Sequence, residues 1–349
     1  MPAARRETIL YLSTNDGSDT RIVKQVETLS SRYSVVFLGV GRESSAFIEK
    51  YCDDVILVRG IRNRPFTIFR QWGALVRVLA GQRIYSIHVV NEQLLVLVYP
   101  LLLFHHVVLD VFDSIFLRWN KGGDRWGWVK RIVYWPANRI IVTDENRLQL
   151  LPRFAQERAS IVENFPPRYA GPTTRRDARQ LTLLFAGTLA MPRGGTFVEE
   201  VLNADLNANV IMAGWLYDDG VKLLAQHPRA SYRGVLPQED VLTIAATEAD
   251  YIVCLYPLTN DNNVNASPNK IWDAVQTKTP VIINTGVKVS RLVSDLNIGV
   301  VVDQGSQSIL DILDILKRSQ GEFEFDDQLA STHSWESVEE NLLAAHASR

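Results

Sequence analysis

The patterning of the chain predicts an α/β fold: two doubly wound modules of similar size, one after the other, closed by a C-terminal packing helix. Three observations carry this. Apolar runs of strand length alternate with segments of helical length, the rhythm restarts near residue 181, and 349 residues at ~100–200 per domain is room for two domains. Such sheets bind ligands beyond the carboxyl ends of their strands, and two of them facing each other would enclose a cleft.

The strand candidates of the first module are Thr8–Ser13, Ser34–Gly39, Asp54–Val58, Ser86–Val90, Val107–Phe112 and Arg139–Thr143, followed by a short extended piece, Ser160–Glu163. The most apolar stretch, Leu94 to Leu109, is interrupted by Pro100, His105 and His106 and is shorter than the ~20 residues of a spanning helix, so it reads as a buried helix leading into a strand. Arg168 to Gln180 is poor in apolar residues and holds a proline, a glycine and several arginines, which reads as a linker. The expected domains are therefore 1–167 and 181–325, joined by 168–180. The second module offers Leu181–Ala186, Ala208–Ala213, Ala230–Arg233, Tyr251–Leu255, Pro280–Ile283 and Gly299–Val302 as strands. In the tail, 326–349, Trp335, Val338, Leu342 and Leu343 recur at helical spacing, the mark of a helix packing across the domains.

Composition excludes several classes. Hydrophobic residues at 46% and charged residues at 22% are ordinary globular usage, unlike disordered, collagen-like or rod-forming chains. Cys52 and Cys254 stand alone, so neither a disulfide framework nor a cysteine zinc site is expected. Met1 to Arg6 lead into the first strand without a signal-peptide pattern, and a cytoplasmic location is expected. Nucleic-acid motifs are missing. Residues 1–165 hold 22 Lys+Arg against 16 Asp+Glu, whereas 166–349 hold 15 against 23. From Val55 to Asn91 there is no acid, but Arg59, Arg62, Arg64, Arg70, Arg77 and Arg83 occur; Arg118 to Arg139 adds Trp119, Trp126, Trp128 and Trp135. Arginine mixed with aromatics suits an anionic membrane surface or a phosphate-bearing partner; solvated helix faces with core-facing tryptophans fit equally well.

Two segments could carry chemistry. Leu184 to Gly195 runs from a strand through a glycine turn into a helix beginning near Thr196, where helix-start amides and Arg193 would attract a phosphate; an ordinary glycine turn is the alternative. It is neither a Walker loop nor a Gly-x-Gly-x-x-Gly fingerprint. In Asn263 to Val275, Ser267 reads as an N-cap with Pro268 at the first helical position, which puts Lys270 and Asp273 one turn apart. Lysine there suits phosphate and a carboxylate can accept from a ribose diol; a capped helix with an exposed ion pair is the alternative. Both segments would lie on one sheet edge.

These and other segments resemble the GT-B-fold glycosyltransferases, especially the large retaining group that builds bacterial cell-surface polysaccharides. The matches are Ser18-Asp19-Thr20-Arg21, Ser86-Ile87-His88-Val89-Val90, Leu109-Asp110-Val111-Phe112-Asp113, Ala137 to Thr143, Ile161-Val162-Glu163-Asn164, Phe185-Ala186-Gly187-Thr188-Leu189, Ala213-Gly214, Tyr232 to Leu236, Ser267 to Asp273 and Ser334-Trp335-Glu336. The resemblance implies two Rossmann-like domains facing across a cleft and transfer of a sugar from a nucleotide-sugar donor to a lipid-linked or oligosaccharide acceptor, retaining and without a metal or other cofactor. It implies donor contacts at Gly187, Thr188, Gly234, Val235, Asn265, Ser267, Asn269 and Asp273, and acceptor-side contacts at Gly17, Asp19, Arg21 and Phe112. Arg193 and Lys270 would hold the diphosphate; Asp113 would be the base of an inverting reaction. A peripheral position on the inner face of the cytoplasmic membrane goes with a lipid-linked acceptor. The chain departs from the pattern where Asn265 and Asp273 replace two glutamates, Phe112 a histidine, Thr188 an arginine and Gly194 a lysine. A non-catalytic module supporting a partner transferase and a nucleotide-sugar epimerase are the other readings.

Overall fold

A computed structural model of the chain describes residues 6–61, 64–102, 104–119, 127–173 and 180–347. Arg62, Trp126, residues 1–5 and the linker residues 174–179 lie outside them. The chain divides into two compact units, Met1–Glu163 with Val338–Arg349, and Asn164–Ser337.

The first unit is a seven-stranded parallel sheet. Its strands are β1 (Thr8–Leu12), β2 (Ser34–Val40), β3 (Asp54–Val58), β4 (Ile84–Val90), β5 (His106–Val111), β6 (Arg139–Val142) and β7 (Ala159–Ile161), in the spatial order β3-β2-β1-β4-β5-β6-β7. Val107, Val108 and Leu109 of β5 are fully buried in succession, the run without alternation expected of a parallel strand covered on both faces. The helix Pro65–Gly81 starts with proline at its first turn, where the missing N–H costs nothing. The apolar stretch after β4 is the helix Asn91–Leu102, and β5 follows it.

The second unit is a six-stranded parallel sheet with β8 (Thr182–Leu189), β9 (Asn209–Leu216), β10 (Ala230–Tyr232), β11 (Tyr251–Cys254), β12 (Val281–Asn284) and β13 (Gly299–Val302), ordered β10-β9-β8-β11-β12-β13. In both units the winding reverses once, between β1 and β4 and between β8 and β11. At such a switch point the connections leave in opposite directions and open a crevice at the carboxyl ends.

Two expectations need correction. Ser267 does not cap the helix that carries Lys270: the helix is Asn269–Thr277, Pro268 holds the N-cap position, and no side chain bonds there. Nor is the tail one helix. Asp327–Thr332, a 3-10 turn at Trp335–Ser337 and Glu339–His346 are separate pieces. Ser337 Oγ bonds the carbonyls of Thr332 (3.0 Å) and Ser334 (2.7 Å), and Trp335 N–H donates to Pro166 O, so side-chain and tertiary bonds displace the helical ladder.

Candidate functional site

At the carboxyl edge of the second sheet three glycines stand side by side. Gly187 on β8 pairs in register with Gly214 on β9, and Gly214 N–H donates to Gly234 O just beyond β10 (2.7 Å). All three have positive φ: +92°, +141° and +77°. At Gly214 a β-carbon would stand 1.9 Å from Gly187 O, so only glycine fits. The absence of β-carbons at these positions lets a ligand approach the backbone closely.

Two cations border that edge. Beyond β8 the chain makes a 3-10 turn, Met191–Arg193, before the helix Gly195–Ala204. Asp218 fixes this turn, accepting from Met191 N–H (2.8 Å) with one oxygen and from Val221 N–H (3.0 Å) with the other. Gly194 has φ +118° and a β-carbon there would stand 2.9 Å from Val253 Cγ1, so a side chain at that position would be strained. Arg193 lies across the ring of Tyr256, Cζ 4.9 Å from its centroid, so the guanidinium bridges the chain ends of β8 and β11 at the switch point. Lys270 reaches the same place from its helix: Nζ donates to Val253 O (3.0 Å), and Cε would be 4.0 Å from a β-carbon at Gly187.

The electrostatics follow from this placement. Burial lowers the Lys270 pKa and the charge of Arg193 lowers it further, against Cys254 and Asp273. Cys254 beneath them is pushed up to about 11 by burial, so it is an inert thiol. Among the described residues the two cations contact the Tyr256 ring, in the case of Arg193, and the Val253 carbonyl, in that of Lys270. Two close cations beside a glycine-lined edge make an anion site with capacity for more than one charge.

The remaining donor candidates divide. Asp273 is buried and accepts from Gln238 Nε2 (3.1 Å) at the start of the helix Gln238–Glu248, next to Gly234 and Val235. Thr188 is exposed opposite Trp215. Val235 is exposed, Ser267 half-buried, and Asn269 opens the helix that bears Lys270. The Asn265 amide is buried and donates to Asp261 O (2.7 Å), turned into its own short helix. Gly214 and Tyr256 escaped selection as site residues; the recurrence of glycine at the end of successive strands was the available signal. A recess of about 510 Å³ in this unit lies away from these residues, at the amino-terminal edge around Pro280, Gln320 and Phe325.

The corresponding edge of the first unit is built differently. Arg21 is 1% exposed and clamps Asp110 with Nε (3.1 Å) and Nη2 (3.0 Å), while Nη1 donates to Val162 O (3.0 Å). Burial pushes the Asp110 carboxyl up, but Arg21 and His88 hold it well below the ordinary carboxylate range. Arg21, expected on the acceptor side, is thus a buried tie between β5 and the chain after β7. Phe112 has its ring 5.6 Å from Arg21 Cζ. Asp19 caps the helix Thr20–Arg32 through Arg21 N–H (2.9 Å); burial raises its pKa, and nearby Asp113 adds to that. Gly17 has φ +86°, and a β-carbon there would stand 2.2 Å from Ile48 Cδ1, so the position has no room for a side chain. Asp113 is part-exposed, its carboxylate 4.0 Å from Arg118 Nη2. Asn91, at φ +61°, accepts with Oδ1 from the N–H groups of both Phe112 (3.1 Å) and Asp113 (2.9 Å), and so sets the loop that carries both.

No family model matches the sequence, and no curated protein matches it. Solved structures do. HepE of Anabaena, determined in complex with UDP-glucose, superposes with a TM-score of 0.68 at 14% identity over 97% of this chain and 98% of its own. Sucrose-phosphate synthase from Thermosynechococcus elongatus gives 0.66 at 13% identity, covering 98% and 95%. WaaG, a glycosyltransferase involved in lipopolysaccharide biosynthesis, gives 0.61 at 13% identity, covering 97% and 98%. The match spans both units, and the chain has the two-domain GT-B fold.

Proposed function

We propose that the second unit binds a nucleotide-activated sugar at its glycine-lined edge and that the chain transfers this sugar to a lipid-linked or oligosaccharide acceptor. The observation that carries the reading is the convergence of Arg193 and Lys270 beside Gly187 at the β8/β11 switch point. On this reading the two cations hold the diphosphate and neutralise the charge that grows on it as the bond from sugar to phosphate breaks, the step to which fixed charges contribute most. Asp273 accepts from the ribose diol, and Gly234 and Val235 border the base. With retention, the departing phosphate oxygen takes the acceptor proton, so neither a side-chain base nor a metal is needed; with inversion, Asp113 is the base. The fold shared with WaaG, a glycosyltransferase, and with HepE, determined in complex with UDP-glucose, supports a nucleotide-sugar donor.

A second reading, a non-catalytic nucleotide-sugar-binding module, has one observation in its favour: the Asn265 amide is engaged by Asp261 O at the position where the resemblance places a sugar contact. Release of nucleoside diphosphate from a panel of nucleotide sugars, with oligosaccharide and lipid-linked acceptors present, separates the two. Turnover that falls by roughly 100-fold or more in Arg193→Gln supports transfer. Binding without turnover supports the module, and turnover indifferent to Arg193 removes the proposed site.

A further inference from the structure

One acceptor beside the glycine-lined edge has no use within the protein. Gln238 opens the helix Gln238–Glu248 shortly after Gly234 and Val235. Its Nε2 donates to Asp273 Oδ1 (3.1 Å), and this bond fixes the orientation of the amide, because the reverse orientation would set Oε1 against a carboxylate oxygen. With Nε2 placed in this way, Oε1 is buried and has no hydrogen-bond partner among the described residues. A buried acceptor without a partner costs its desolvation, and the great majority of such atoms in folded proteins are paired. The Gln238 carbonyl is therefore a place where a donor from outside the chain completes the set.

The chemistry of that donor is restricted. An amide oxygen only accepts, so its partner carries O–H or N–H, which excludes the ionised oxygens of a diphosphate. Asp273, which shares the amide, lies one turn from Lys270 on the helix Asn269–Thr277 and interacts electrostatically with it. At Gly234 a β-carbon would meet nothing within 4 Å, so there is open space beside the pair. A ligand whose phosphates rest on Arg193 and Lys270 brings its next donors, the hydroxyls of a ribose, to Asp273 and Gln238. Aspartate is one methylene shorter than the glutamate it replaces, and a vicinal diol presents two hydroxyls. Joined by one hydrogen bond, the Asp273 carboxylate and the Gln238 carbonyl offer adjacent acceptors for such a diol.

We propose that Gln238 is a specificity-determining residue of the donor site, its Oε1 accepting from one hydroxyl of the donor's ribose while Asp273 accepts from the other. The inference rests on the donor-site reading of Arg193, Lys270 and Asp273 and adds to it a residue that no sequence motif indicated.

The test is calorimetric titration of the full chain with uridine, guanosine and adenosine diphosphates, and with the 2′-deoxy and 3′-deoxy forms of the one that binds. The native protein is compared with Gln238→Met and Asp273→Ala, and thermal unfolding verifies that each variant is folded. The native protein should bind the ribonucleotide about five- to tenfold more tightly than either deoxy form. Gln238→Met keeps the length of the side chain without the acceptor, and should erase the preference for one hydroxyl; Asp273→Ala should erase the preference for the other. A residue that only props Asp273 gives a different pattern: Gln238→Met then erases the same preference as Asp273→Ala, or weakens all three ligands alike. Either result overturns the proposal. So does a native protein that binds the ribonucleotide and both deoxy forms equally, a result that needs no variant. If that equal binding still depends on Arg193 and Lys270, the donor-site reading survives and the role of Gln238 alone falls; if no nucleoside diphosphate binds, both fall.

Discussion

The two units wind their sheets alike, yet their carboxyl edges are finished in opposite ways. In the first unit the edge is filled: Arg21 is locked onto Asp110 in the interior, and Asn91 ties down the loop of Phe112 and Asp113. In the second the edge is glycine-lined, with Gly187, Gly214 and Gly234 at three neighbouring chain positions and Arg193 lying across Tyr256 with no carboxylate ion-pair partner among the described residues. An arginine whose charge is already matched stabilises its own fold; one left without a carboxylate beside a glycine-lined edge is available to an anion. The same topology thus provides a scaffold in one place and a candidate ligand site in the other.

The sharpest way to break this contrast is to remove the match. Asp110→Ala leaves the Arg21 guanidinium buried without a counter-charge, and a loss of about 3–5 kcal/mol in urea unfolding is expected. An unchanged midpoint would mean that the pair holds nothing together. On the glycine-lined edge, Gly214→Ala forces a β-carbon onto Gly187 O and should destabilise the chain by about 1–3 kcal/mol while abolishing nucleotide binding; a variant that binds normally would show that the edge is not the site.

Acid should weaken the first unit through two buried histidines. His346 Nε2 lies 3.0 Å from His88 Nδ1, and its Nδ1 is 2.8 Å from Ser86 Oγ, fixing the helix Glu339–His346 to the sheet. Burial lowers the pKa of both imidazoles, with His88 adding to the shift at His346. The unfolded chain therefore binds more protons below its ordinary histidine pKa of about 6.5, so stability is full above that pH and declines as pH falls through it. Thermal unfolding should shift downward between about pH 7.5 and about pH 5, and less so in His346→Gln. Equal slopes in the two proteins would remove His346 from the account. The smallest effect belongs to Lys222, whose ion pair with Asp219 is solvent-exposed: Lys222→Ala should leave the melting temperature where it is.

Much of the fold was legible from local pattern. Asp54–Val58 and Gly299–Val302 coincide with β3 and β13, because these strands are short apolar runs whose limits are set locally. What depended on contacts far apart in sequence was not legible. Arg21 is 89 positions from Asp110, so nothing near it indicates a buried pair. The tail reads as one helix by apolar spacing alone, but serine bonds to the backbone divide it. Of the candidate site, Arg193 and Lys270 could be selected from their segments and expected on one sheet edge from the doubly wound pattern, whereas placing them at the β8/β11 switch point needed the strand order, and the part played by Gly214 needed the register of β8 with β9.

The central claim is that Arg193 and Lys270 form one site for a diphosphate. Calorimetric titration of uridine, guanosine and thymidine diphosphates and their monophosphates into the full chain tests it most directly, with Arg193→Gln and Lys270→Gln in parallel. The account predicts that one diphosphate binds more tightly than its monophosphate and loses roughly tenfold or more in affinity with each substitution. Equal affinity for diphosphate and monophosphate, or binding that neither substitution weakens, would contradict it.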